Sequence, residues 1–215
     1  GVTYSCPPWW QDEAEHTSPR VRAQMRGCLE EARVSARSHA PKIGDTARWH
    51  GRIFKNEVPL AYYAGAYRQE DPNRVCLGQD VGVGALAGEH YRRVPFAIGE
   101  LQKHLQAGLR ELELRWEGLT PEDRLRSLCI LIGTAIGAFI KIHPFLNGNG
   151  RMSRMLWSVL LARFGLSHEF SVLKRPPGPR YAEAMKEAMA GDYSLCVLLV
   201  LEGLTRQPAP GLPVR

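Results

Sequence analysis

Between His143 and Arg154 the chain reads HPFLNGNGRMSR, which sets an imidazole, two glycines around an amide, and two arginines within 12 residues. Gly148 and Gly150 let the backbone turn so that several N–H groups converge at the start of a following helix, and converging N–H groups form an anion hole suited to phosphate. Arg151 and Arg154 are three apart, so one side of the first helical turn can hold both against the same phosphate chain through charge-assisted hydrogen bonds. Asn149 supplies a neutral donor that can orient a phosphate oxygen, and Phe145 is expected to turn inward and anchor the loop. His143 titrates near neutrality and can accept a proton. A proton acceptor facing a phosphate cradle is the minimal machinery for attaching a phosphate-bearing group to a hydroxyl. A lone GNG is most simply a helix-connecting turn and a lone His a satisfied core residue; it is the combination that points to a site.

The segments around this loop show how it would be positioned. Leu128 to Ile140 (LCILIGTAIGAFI) is an apolar run of 13 residues, too short to span a bilayer and apolar on all sides. It predicts a helix buried at the centre of a domain, with Gly133 and Gly137 admitting a close neighbour. Thr120-Pro121-Glu122-Asp123 caps its start, and Pro144 ends it at Ile142. Helical periodicity resumes through Met152, Leu156, Val159 and Leu160 until Gly165. Further helices are expected from Pro19, behind a Ser18 cap, to about Ser38, over Asp45–Phe54, from Pro95 to about Trp116, and over Arg180–Met189 and Tyr193–Leu204. Val75, Leu77, Val81 and Val83 alternate as in a small hairpin, whose Cys76 to Asp80 edge reads either as a docking strand for another chain or as ordinary surface. Trp9 and Trp10 are expected to cap the core. The fold class is therefore mainly α, a bundle around a buried central helix with one small β-hairpin.

The whole chain has 215 residues, 44% of them hydrophobic and 23% charged, with a formal net charge of +6. Those values fit one globular domain able to bury a sizeable core, and exclude collagen-like, low-complexity and disordered classes. The expected division is an N-terminal extension over 1–41 with one amphipathic helix, a domain over 42–206, and a linker or disordered tail over 207–215. Of the 28 basic residues 22 are Arg. That preference suits an anionic partner, but codon usage in a GC-rich genome is the simpler explanation. Little interleaving of Lys with aromatic residues disfavours a nucleic-acid surface. Five cysteines (Cys6, Cys28, Cys76, Cys129, Cys196) form an odd set without CxxC spacing, so the expectation is reduced thiols in the cytoplasm. No signal peptide is visible in Gly1 to Trp10, and no membrane partner is expected.

The segment HPFLNGNGRMSR resembles the Fic family signature HxFx[DE]GNGRxxR at every fixed position but one. WHGRIF at 49–54, AGAYR at 64–68 and the hairpin after Arg74 resemble the region that precedes and forms the family's flap, so the likeness runs from Lys42 to about Leu204. It implies a Fic-type helical bundle that transfers AMP from ATP, with Mg²⁺, to a Ser, Thr or Tyr hydroxyl of a target protein. By that resemblance His143 is the general base, and Gly148, Asn149 and Gly150 hold the α- and β-phosphates. Arg151 then takes the β-phosphate and Arg154 the γ-phosphate, while Cys76, Leu77 and Gly78 belong to the target-docking flap. The departure is Asn147, where the family has the acidic residue that holds magnesium; a neutral amide is a weak substitute for a hard cation. That leaves two alternatives open, a catalytically weak nucleotide-binding or phosphate-binding module and an enzyme using another phosphate-bearing donor. Gly150 stands where a kinase-like branch has Lys, which favours nucleotidyl over phosphoryl transfer. The family's restraining pattern [ST]xxxE[GN] does not occur, since Glu113 and Leu198 stand four before the two Glu-Gly pairs. A separate antitoxin-like inhibitor is therefore a possible partner, and delivery into a host cell stays open beside the cytoplasmic expectation.

Overall fold

In the computed structural model, residues 5–9, 18–168, 172–176 and 178–205 are described. Among them the chain forms α1 (Pro19–Ala36), α2 (Asp45–Phe54), β1 (Gly82–Val83), β2 (Leu86–Ala87), α3 (Val94–Arg115), α4 (Pro121–Ile142), α5 (Asn149–Arg163), α6 (Pro179–Ala190) and α7 (Ser194–Thr205). The mainly α expectation with one small hairpin therefore holds. Trp10 and the 207–215 tail fall outside the described residues.

The helices begin where their side chains can satisfy free N–H groups. Ser18 Oγ accepts from Val21 N–H with Pro19 in the first turn, and Thr120 Oγ1 accepts from Asp123 N–H ahead of Pro121. In α1 the buried positions are Val21, Met25, Cys28, Ala32 and Ala36, a helical stripe, whereas Val34 is exposed. The central helix α4 is covered by α3, α5, α6 and α7. By length and composition it could cross a membrane, but it sits within this bundle. Its glycines act as expected: a Cβ on Gly133 would lie 2.5 Å from Val197 Cα, and one on Gly137 would lie 2.6 Å from the Tyr193 ring. Close approach of α7 to α4 thus depends on both.

Two expectations are corrected. Cys76, Leu77 and Gly78 do not form a flap strand. Val75–Leu77 is a single 3-10 turn, Cys76 and Leu77 are buried against Tyr63, and Gly78 N–H closes the turn on Val75 O. Of the side chains that alternate in sequence only Leu77 enters this small satellite core, while Val75 and Val83 are exposed. The hairpin lies further on, with Gly82 opposite Ala87 and Val83 opposite Leu86. The cysteines are corrected as well, because Cys6 and Cys76 form a disulfide with their Cα atoms 5.4 Å apart, leaving Cys28, Cys129 and Cys196 as buried thiols. The partners lie 70 residues apart, and only the fold brings the N-terminal strap Ser5–Trp9 against the 75–77 turn. The thiol argument for a reducing compartment loses its ground.

Candidate active site

The end of α4, the motif loop and the start of α5 meet in a cleft of about 410 Å³, within the range of small-ligand pockets. His143, Asn147, Gly148, Asn149, Gly150 and Arg154 line it, together with Trp9, residues of the hairpin, and Tyr181, Lys186 and Met189 of α6. A larger groove of about 740 Å³ between α1 and the end of α5 contains none of the motif.

His143 ends α4 in the left-handed region at φ 52°, unusual for a residue with a Cβ. Several contacts fix it there. Its N–H donates to Phe139 O, its carbonyl accepts from Arg68 Nε at 2.8 Å, and Nδ1 lies 3.1 Å from Ile140 O. Because a carbonyl only accepts, Nδ1 carries the proton and Nε2 is the ring's acceptor. Burial pushes the imidazole pKa down to about 4 against the raising effect of the Ile140 bond, and the Arg68 charge lowers it further. His143 is therefore neutral at pH 7, as a proton acceptor must be.

The loop turns inward at Phe145, which is fully buried. Asn149 Oδ1 accepts from Phe145 N–H and Asn149 Nδ2 donates to Phe145 O, both at 2.9 Å. The Asn149 amide is thus a staple across the loop, with Oδ1 and one Nδ2 hydrogen engaged by backbone, and the residue also lines the cleft. Gly148 takes φ +79° and heads α5, and a Cβ there would meet Phe54 at 2.9 Å. Met152 N–H donates to Gly148 O, so Asn149 and Gly150 fall in the first turn of the helix, where N–H groups precede the intrahelical ladder. The helix begins three residues before the apolar periodicity, and GNGR forms its first turn.

The two arginines diverge. Arg154, buried, reaches the cleft wall with Nε on Val172 O and Nη1 on the Tyr181 hydroxyl. Arg151, equally buried, lies over the Phe54 ring at 5.5 Å and is not part of the cleft lining. One arginine thus lines the cleft while the other lies over Phe54 at the start of α5.

Asn147 is engaged at both ends. Its Oδ1 accepts from Gly148 N–H at 2.6 Å and its Nδ2 donates to Trp9 O at 2.9 Å. Among the described residues no three His, Cys, Asp or Glu side chains come together as a metal site. A neutral amide already occupied by backbone does not fit a resident Mg²⁺.

Two supporting residues escaped the sequence reading. His50 of α2 is wholly buried, stacked on Phe145 at 3.9 Å, with Nε2–H donating to Asn147 O and Nδ1 accepting from Gly65 N–H. Both ring nitrogens are satisfied in the neutral form, and burial drives the pKa down to about 3. Arg68, also fully buried, donates to the carbonyls of His143, Ile142, Gln79 and Glu89. It joins the end of α4 to both roots of the hairpin. Burial pulls its pKa down to about 10 against Asp80, which lies 3.7 Å away, so it stays charged at pH 7.

The sequence profile of the Fic/DOC family matches residues 42–161. The chain belongs to the Fic/DOC family. Over 115 residues it is 30% identical to the protein adenylyltransferase Fic of Drosophila grimshawi, a match that spans 51% of this chain and 23% of that protein. Among solved structures it resembles the BepC effector of Bartonella tribocorum with bound AMPPNP, at a TM-score of 0.55 and 16% identity, over 93% of this chain and 94% of that one. It also resembles the Fic domain of a putative cell filamentation protein from Bartonella quintana with bound ADP, at 0.53 and 17%, over 90% and 89% of the two chains. At such identities these likenesses speak for the fold.

Proposed function

We propose that the chain is a protein adenylyltransferase that moves AMP from ATP to a Ser, Thr or Tyr hydroxyl of a target protein. The observation that carries this reading is His143, a neutral imidazole with Nε2 as acceptor, in the same cleft as the open N-terminus of α5 and Arg154. In the reaction the target hydroxyl oxygen attacks the α-phosphorus while Nε2 of His143 takes its proton. The bond from the α-phosphorus to the oxygen bridging to the β-phosphorus breaks, and pyrophosphate leaves. The N-terminus of α5 at Gly150, with the helix dipole, stabilises the phosphate chain, and Arg154 meets its distal end. Arg151 adds positive charge from beneath the same turn. Magnesium accompanying ATP finds no resident ligand set here, and none of these steps runs through it. An antitoxin-like partner would act by placing a carboxylate against Arg154.

A second reading, a nucleotide-binding module with weak chemistry, is favoured by the double engagement of Asn147. ATP labelled separately at the α- and γ-phosphorus, incubated with the protein and a cell lysate, separates the two. Transfer of the α label, reduced on the order of 10²- to 10⁴-fold in His143→Ala, is expected. Binding of ATP without transfer of either label would establish the second reading, and transfer of the γ label would contradict the nucleotidyl assignment.

A further inference from the structure

The residue at 147 and the N-terminal strap are matched to one another. Ser5–Trp9 is held by the Cys6–Cys76 disulfide, by Tyr63 Oη–H donating to Pro7 O at 3.1 Å, and by the Trp9 ring, which packs edge-on against His50 and Phe54 at 5.5 and 5.3 Å. Its last contact is polar: Trp9 O accepts from Asn147 Nδ2, while Asn147 Oδ1 accepts from Gly148 N–H. That arrangement needs a side chain that donates at one end and accepts at the other, which an amide does and a carboxylate does not. An ionised acid at 147 would keep the bond from Gly148 but set an oxygen against the Trp9 carbonyl. Trp9 and Asn147 both line the cleft, so the strap forms part of its wall.

We propose that Asn147 is a positioning residue that locks the N-terminal strap into the cleft wall, and that the Cys6–Cys76 bond makes this lock redox-sensitive. Reduction by a dithiol delivers two electrons and two protons, the S–S bond breaks to two thiols, and the dithiol closes to its own disulfide. Among the described contacts, those of Trp9, of Pro7 and of Asn147 then remain to hold the strap. Docking of the strap and closure of the disulfide are therefore linked equilibria, and weakening the Asn147 contact makes the bond easier to reduce. The inference stands apart from the transferase reading, because its test involves no nucleotide.

The test equilibrates the full chain in a graded dithiothreitol redox buffer, alkylates free thiols, and reads Cys6 and Cys76 peptides by mass spectrometry. The ratio of reduced to oxidised protein is expected to rise about tenfold in Asn147→Asp, as for the loss of one buried hydrogen bond. It should rise similarly in Asn147→Ala, which removes the donor without adding charge and serves if the acidic variant fails to fold. An unchanged equilibrium in the variants that fold would overturn the proposal. So would a wild-type chain whose Cys6 and Cys76 alkylate fully without reductant.

Discussion

Two imidazoles set the acid limit of this protein. His143 and His50 are held neutral by burial, with pKa values near 4 and near 3, whereas in the unfolded chain each takes up a proton near pH 6.5. Between pH 7 and 5 the unfolded state therefore binds more protons, and stability falls as pH falls. Over that window the loss is about 2 kcal/mol for each histidine, a figure that holds for any folded pKa well below 5. Thermal melts should show the midpoint dropping on the order of 10 °C from pH 7 to pH 5; a flat profile would mean that one or both rings are already protonated in the fold. Gly88 packs against the same base, and a Cβ there would lie 2.7 Å from His143 Cβ and 3.3 Å from Arg68 Nη2. Gly88→Ala should lower transfer about 10²-fold, as for an ångström-scale misplacement of the base, while ATP affinity measured by calorimetry changes little. Phe145 and Gly148 were legible in the sequence because their roles are local. His50 and Arg68 were not, since the loop they hold lies 97 and 75 residues away and no spacing rule connects them to it.

Among the elements, α4 was the most legible. Its cap, its apolar length and its stop at Pro144 are written within the helix itself, and so are the two glycines that admit α7. Gly133→Ala would press a methyl onto the Val197 backbone, which cannot rotate away. It should cost about 1–3 kcal/mol and lower the melting midpoint by roughly 5 °C. An unchanged midpoint would mean that α7 can shift along α4. The hairpin was less legible. Val75, Leu77, Val81 and Val83 alternate in sequence, but a satellite core formed by Tyr63, Cys76 and Leu77 winds the first pair into a turn, and only Val83 reaches a strand. The start of α5 was also misplaced, because its first turn is glycine, amide and arginine with no apolar period to signal it. That turn holds Asn149 and Gly150, which line the cleft, so part of the site's polar lining is where helical periodicity falls silent.

Across the whole molecule, the cysteine count misled, because pairing depends on which distant segments touch. Closing a loop across 70 residues removes unfolded-state entropy worth about 4 kcal/mol in the chain-entropy model. Reduction should therefore lower the melting midpoint by on the order of 10 °C, and Cys6→Ser should reproduce that loss without reductant. The net charge of +6 turns out to say little about nucleic acid. Three of the arginines, Arg68, Arg151 and Arg154, lie buried at the site, and Arg163 closes the bundle through Glu113 and the carbonyls of Ala36 and Arg37. On the proposed mechanism the neutral His143 takes the proton of a protein hydroxyl as that hydroxyl accepts AMP from ATP, and intact-mass analysis of a protein acceptor after incubation with ATP reads that transfer most directly. The expected product is an acceptor heavier by one adenylyl group, formed by the wild-type chain and not by His143→Ala. A gain of one phosphate, or an AMP adduct that persists undiminished in His143→Ala, would contradict it.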